Sequence, residues 1–247
     1  MGTVHGRLST IDLISLASGR GGAVKLRVRR WISEYVYMSE IDCLSGSTGW
    51  IDLEYVEQER TPEQIIELGI QLHLAGLSLL NTKQYLERLG VERSRTAIHN
   101  WVQKTDVQPT SDTAPDHIAV DETVIQVNDE RRWLYAAVDP ETNEFLHVRL
   151  FPTRTTQLTV LFLRELQQIV PVTQATILVD DAHHLKAALS RLGLQFQMRR
   201  HGNRNAVERV FREVKRRTSS FSNTFSHAQP TTVERWLQAF AVWWNHA

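Results

Sequence analysis

From Thr61 onward the apolar residues change texture along the chain, first at helical spacing and later at strand spacing. Ile65, Ile66, Leu68, Gly69, Leu72 and Ala75 fall on one helical face, and Gly76 ends the run. Its start carries Thr61 as a cap, Pro62 at the first helical position and Gln64 three residues after the cap. A second helix is predicted near Ser78–Leu89, with Leu79, Leu80, Tyr85, Leu86 and Leu89 apolar and Gly90 as the stop. Ser94 caps a third, Arg95–Lys104, whose inner face is Ala97, Ile98, Trp101 and Val102. Three short helices joined by tight glycine turns fit the helix-turn-helix plan. Arg93, Arg95, Thr96, His99, Asn100, Gln103 and Lys104 then face a DNA groove. The plainer reading is a helical bundle packed on the next domain, and these helices alone do not separate the two.

Residues 107–115 hold two prolines among small polar residues and read as a linker. Beyond them Ile118–Val127, Arg132–Val138 and Phe145–Phe151 have strand lengths and strand composition, with turn chemistry at Asp139-Pro-Glu-Thr-Asn143. Thr155–Val170 reads as a helix, Ala175–Val179 as a buried strand, Ala182–Leu192 as a helix and Leu194–Met198 as a strand. Helices over Asn203–Arg217 and Thr231–Trp244 close the pattern. Three strands followed by alternating helices and strands predict an α/β fold, a mixed sheet with helices on both faces. In such a sheet a central first strand can take the fourth as its neighbour.

Composition narrows the class only a little. The 247 residues are 42% hydrophobic and 23% charged, as in ordinary soluble proteins. A single cysteine, Cys43, excludes an intrachain disulfide framework and a Cys-rich zinc module. No apolar run is long enough to span a bilayer, so no membrane partner is expected. The short apolar stretch Ile11–Ala17 is a weak signal-peptide candidate, and a cytoplasmic location is preferred. The net charge of zero conceals an asymmetry: residues 38–92 hold ten Asp or Glu against three Lys or Arg, whereas residues 183–217 hold ten Lys or Arg against Glu208 and Glu213. Most charge runs are solvated helix faces. Here the cations surround a candidate metal-binding glutamate, which favours a polyanionic substrate.

Three carboxylates carry the candidate chemistry. Asp121 follows the apolar run Ile118-Ala-Val, Asp180 follows Ile177-Leu-Val, and Glu208 lies in the basic helix. A carboxylate leaving a buried strand is costly unless a cation meets it. Two strand-end aspartates and a helical glutamate supply hard oxygen ligands for divalent ions, the equipment of metal-assisted phosphoryl transfer. A lone strand-end aspartate is more often a turn or cap residue; three in this order, with a basic helix at the third, reverse that preference. Asp181 competes with Asp180, but Asp180 ends the strand directly and Asp181 can cap the following helix. His183 and His184 read as a helix face rather than metal ligands, and Glu122 should face away from Asp121. On the last basic helix Asn205, Glu208, Arg212 and Lys215 are spaced three, four and three apart and so share one face, opposite Val207, Val210, Phe211 and Val214.

These residues resemble the DDE transposases, a branch of the RNase H-like superfamily that includes retroviral integrases. Val120-Asp-Glu-Thr, Trp133-Leu-Tyr-Ala-Ala-Val-Asp139, Leu178-Val-Asp180 and Asn205-Ala-Val-Glu-Arg-Val-Phe-Arg-Glu-Val-Lys-Arg-Arg217 are most similar to the insertion-sequence family six transposases, in their archaeal branch. Leu72–Leu80 and Ala97–Val102 resemble the family's upstream helix-turn-helix. The resemblance implies an RNase H-like mixed sheet flanked by helices and preceded by a helix-turn-helix region. It implies Asp121, Asp180 and Glu208 as the catalytic triad, holding two Mg²⁺ or Mn²⁺ ions. The implied substrate is double-stranded DNA, both terminal inverted repeats and target, with the protein a homodimer or higher oligomer on it, in the cytoplasm with the nucleoid. Arg95, His99, Asn100 and Gln103 are expected to read bases, while Asn205, Arg212, Lys215 and Arg216 hold phosphates near the cut. The Asp180-to-Glu208 interval is shorter than in many integrase-like relatives.

The expected organisation is an extension over 1–37, a DNA-binding region over 38–106, the linker 107–115 and a catalytic domain over 116–247. Residues 1–37 carry six Lys or Arg against Asp12 and Glu34 and no periodic apolar pattern, so they are expected to be dispensable. The family's element ends commonly read GGCACTGT, one frame of which encodes Gly-Thr-Val, matching Gly2-Thr3-Val4. The extension is accordingly read as translated terminal repeat, with Met38 the native start. The competing functions are a catalytically inactive DNA-binding regulator derived from a transposase and an RNase H-like nuclease without strand transfer.

Overall fold

The computed structural model describes residues 61–105, 107–109, 114–199, 205–218 and 224–246. The expectations for residues 1–37, Met38 and Cys43 lie outside these residues.

The three amino-terminal helices form where the apolar spacing places them: α1 (Glu63–Leu74), α2 (Leu79–Arg88) and α3 (Arg95–Lys104). Ser78 and Ser94 cap the second and third through their hydroxyl oxygens, accepting from the backbone N–H of Asn81 at 3.1 Å and of Ala97 at 3.0 Å. The first helix departs from expectation. Pro62 is the capping residue, its carbonyl accepting from Ile65 and Ile66, with no side-chain cap. Thr61 is buried and its hydroxyl accepts from Arg93 Nε at 2.6 Å. The same guanidinium donates to the Glu92 carbonyl, and Arg93 is half-buried. Gly76 (φ +113°) and Gly90 (φ +80°) end α1 and α2 in the left-handed region that glycine enters without penalty.

The sheet region runs β1 (His117–Val127), β2 (Glu130–Val138), β3 (Phe145–Phe151), α4 (Thr156–Ile169), a single 3₁₀ turn (Val172–Gln174), β4 (Thr176–Val179), α5 (His183–Leu192), β5 (Phe196–Met198), α6 (Asn205–Thr218), β6 (Thr224–Phe225) and α7 (Pro230–His246). Strand order is β3-β2-β1-β4-β5. The first three strands are antiparallel neighbours, and β4 and β5 run parallel to β1. This is the RNase H-like mixed sheet, with β1 central. The two-residue β6, absent from the sequence reading, pairs with the far end of β1 at Gln126 and Val127.

Alternation along β1 divides the interior in two. Ile118 and Val120 join Tyr135, Ala137, α4 and α5 in one core, whereas Ala119, Ile125 and Val127 face α6 and α7 in the other. The second core continues without a break into α1–α3 through Ile66, Ile70, Leu74, Ile98, Trp101 and Val102. Gln103 Nε2 donates to the Thr232 carbonyl of α7 at 3.1 Å, and the His73 ring meets Trp236 edge-on at 6.4 Å. The amino-terminal helices are therefore a bundle docked on the sheet region.

Candidate active site

Strand pairing leads up to the two aspartates. β1 and β4 pair in parallel from His117 and Thr176 to Ala119 and Leu178. That pairing stops two residues before Asp121 and Asp180, and Asp180 lies just past the end of β4. Ile177 and Val179 belong to the core under α4 and α5, so Leu178 lies on the opposite face. Asp121, two residues beyond Ala119, shares that face, and α6 packs there through Val207, Val210 and Val214. Asp121 and α6, which carries Glu208, thus share one side of the sheet, and Asp180 follows β4 in the turn to α5.

Asp121 is 9% exposed, and its Oδ1 accepts from the backbone N–H of Glu122 at 2.9 Å. Asp180 is half-buried and its Oδ1 accepts from the N–H of Ala182 at 2.8 Å, turning the chain into α5. The capping role expected of Asp181 does not form. Ala182 occupies the cap without a side-chain bond, and Asp181 instead takes Lys186 Nζ at 2.6 Å. Glu208 is exposed in the first turn of α6. Among the described residues no three His, Cys, Asp or Glu side chains gather closely enough to share a metal ion. Asp121 does not end its strand as expected, because β1 continues in register with β2 to Val127; Asp121 within β1 and Asp180 just past β4 are hard-oxygen donors of a kind that suits a divalent cation. Glu208 has the right chemistry and the right face, but the set is not closed on one point, and residues 200–204 leading into α6 lie outside those described.

The face of α6 has the predicted mixture. Val207, Val210, Phe211 and Val214 are buried, while Glu208, Arg212 and Lys215 are exposed and Asn205 is half-buried. Between α6 and the end of β1 runs a groove of about 580 Å³ that includes Val124, Gln126, Arg212, Lys215, Arg216 and Phe225. A cleft of about 310 Å³ lies between Asp180, Asp181, Met198 and Arg199. The basic run is not uniformly outward. Arg217 is buried, 2.7 Å from Glu213 and over the Trp243 ring. Arg216 reaches the groove but binds Glu213 through two hydrogen bonds of 2.8 and 2.6 Å. Burial pushes the Glu213 carboxyl up, yet Arg216 and Arg217 together hold it below its ordinary range.

On α3, Arg95 and Asn100 are exposed and His99 is half-buried, burial lowering its pKa. Gln103, expected among the base readers, has its amide committed to α7. No local signal pairs Gln103 with Thr232, which is 129 positions away. Phe225 in the groove escaped notice for a related reason: a two-residue strand has no periodicity to detect.

Residues 116–246 match the family model of the DDE domain of IS240-type transposases. The chain belongs to the IS240-type DDE transposase family. The chain is similar to an uncharacterised protein of Methanocaldococcus jannaschii, 28% identical over 197 residues, which are 79% of this chain and 92% of the relative. Among solved structures, the catalytic core of BIV integrase is similar over 51% of this chain and 82% of its own, at 17% identity and a TM-score of 0.37. The HTLV-2 integrase core in complex with magnesium is similar over 44% of this chain and 72% of its own, at 13% identity and a TM-score of 0.33. No helix among the described residues of this DDE transposase family member is long and apolar enough to cross a membrane.

Proposed function

We propose that this DDE transposase family member is the transposase of an insertion sequence, binding the element's terminal inverted repeats and carrying out metal-dependent DNA strand cleavage and strand transfer. The observation that supports the reading is the parallel β1–β4 pairing, whose last pair, Ala119 with Leu178, lies two residues before Asp121 and Asp180. Asp121 and Asp180 would hold Mg²⁺ or Mn²⁺, with Glu208 completing the set as the first turn of α6 closes on DNA. Such ions, if held there, would supply Lewis-acid activation of an attacking oxygen and charge stabilisation for a leaving one. The protein's own part is positional. Arg212 and Lys215 line the adjoining groove and would hold the phosphodiester backbone, while Arg95 and Asn100 on α3 remain outward for base edges. Two element ends must be brought together, which calls for a homodimer or larger assembly on DNA, in the cytoplasm with the nucleoid.

The test is a Mg²⁺-dependent cleavage and joining assay on DNA bearing the element's ends. Asp121→Asn, Asp180→Asn and Glu208→Gln should each abolish product while DNA binding survives, because each keeps shape and removes a charge the metal needs. Full activity in Asp180→Asn with loss in Asp181→Asn would overturn the ligand choice. DNA binding by the unaltered protein without any metal-dependent product would favour a non-catalytic regulator. Cut but never joined strands would favour a nuclease.

A further inference from the structure

The β1–β4 ladder stops short of the chemistry. Its last pair is Ala119 with Leu178, two residues before Asp121 and Asp180, and β4 ends at Val179. Backbone pairing therefore does not fix the distance between the two carboxylates. On the reverse face, however, side chains join the middle of β1 to the first turn of α5. Glu122, next to Asp121, has a side chain only 4% exposed. Its Oε1 accepts from Arg154 Nη1 at 3.0 Å and lies 3.1 Å from Nε2 of His184, four residues after Asp180 in the first turn of α5. The His184 contact has ion-pair distance without hydrogen-bond alignment, since Nε2 has no bonded acceptor.

The surroundings hold this cluster firmly. Tyr135 stands opposite Glu122 on β2 and binds Thr159 on α4 through its hydroxyl at 3.2 Å. The Tyr135 ring meets His184 edge-on at 6.4 Å, and Arg154 lies 4.4 Å above the Trp133 ring. Yet Glu122 is poorly chosen for stability alone. Its Oε2 is buried with no hydrogen-bond partner, and an apolar residue would fill the site with no charge to desolvate. A charge retained there is better explained by what it connects.

We infer that Glu122 is a positioning residue, which with His184 and Arg154 clamps the middle of β1 to the start of α5 and so sets the spacing of Asp121 and Asp180 from behind. This rests on the metal-site reading above. Partners that orient metal ligands from behind typically change metal affinity about 10- to 100-fold when altered.

The experiment measures Mn²⁺ binding to the full chain by electron paramagnetic resonance, together with thermal midpoints without metal and the Mg²⁺ dependence of strand cleavage. Glu122→Gln and His184→Gln should remain folded and bind Mn²⁺ about ten-fold or more weakly. Cleavage should then need correspondingly more Mg²⁺ and recover at high concentration, a rescue that a general loss of fold would not permit. Should Glu122→Gln melt well below the parent protein, His184→Gln alone decides. Parent-like Mn²⁺ affinity in folded variants overturns the clamp. Asp121→Asn separates the two readings: if it loses Mn²⁺ while the clamp variants keep it, only the clamp falls. If Asp121→Asn also keeps Mn²⁺, the metal-site reading fails and takes the clamp with it.

Discussion

His73 converts the docking of the amino-terminal helices into a measurable pH dependence. It is 3% exposed at the end of α1, its Nδ1 lies 2.8 Å from the Leu77 carbonyl oxygen, and its ring meets Trp236 of α7. A carbonyl only accepts, so Nδ1 carries the proton of a neutral ring. Burial lowers the pKa to about 4; the Leu77 hydrogen bond opposes the shift and His99 adds to it. The folded pKa is below the unfolded value, so the stability present above about pH 6.5 is lost as pH falls toward the folded pKa. For one proton the slope is about 1.4 kcal/mol per pH unit, which amounts to about 2 kcal/mol between roughly pH 7.5 and roughly pH 5. His147 and His99 are also depressed by burial, so the parent protein's total dependence is steeper than this. His73→Asn retains an N–H donor near the Nδ1 position and removes the titration. Urea unfolding of both proteins at the two pH values should show the variant losing about 2 kcal/mol less than the parent. Parallel pH profiles would refute the assignment of a neutral, buried His73 at this junction.

The groove cation Lys215 predicts that Lys215→Ala weakens binding to specific and random DNA alike and lowers the salt slope by about one, read from binding titrations at several salt concentrations. Arg95→Ala or Asn100→Ala should instead reduce discrimination between element ends and random DNA by ~1–3 kcal/mol; equal losses on both would sink the base-reading role. Gln103→Ala should leave that discrimination unchanged and lower unfolding stability by about 1 kcal/mol, since its amide serves α7. A Cβ on Gly69 would stand 3.0 Å from Trp101 Cζ3, so Gly69→Ala should destabilise the bundle by ~1–3 kcal/mol in the same urea assay.

Local signals carried the sequence reading a long way. Ser94 followed by Arg95 and the inward set Ala97, Ile98, Trp101 and Val102 defined α3 to the residue, because cap and stripe are written in consecutive positions. The same holds for Phe145–Phe151. Thr61 failed as a cap because a distant residue, Arg93, claimed its hydroxyl. Gln103 likewise has a distant partner, the Thr232 carbonyl, that its neighbours in the sequence do not announce. The candidate aspartates were legible because a polar residue ending a buried apolar run stands out by itself. Glu122 was read correctly as facing away from Asp121, but its partners His184 and Arg154 come from two other elements and could not be paired without the fold. The basic run misled in part. Ten cations invite a uniform patch, whereas Arg217 turns inward over Trp243 and Arg216 is tied to Glu213.

One strand supports both halves of this chemistry, and its register is what keeps them apart. β1 pairs with β2 from Ala119 opposite Val138 to Val127 opposite Glu130, across a two-residue turn in which Asn128 adopts φ 54°. Asn tolerates that left-handed conformation better than most residues, so the turn is consistent with the pairing it anchors. A slip of one position would exchange the faces, sending Asp121 toward α4 and α5 and Glu122 toward α6. It would also expel Ile118 and Val120 from one core and Ala119 from the other. The burial of those side chains therefore fixes where each carboxylate points. On one face the acidic group lies beneath a helix carrying Arg212 and Lys215 beside a groove; on the other it is locked between Arg154 and His184. Neighbouring carboxylates in the sequence are thus set on opposite faces by the two-residue period of the strand, Asp121 toward α6 and Glu122 toward Arg154 and His184.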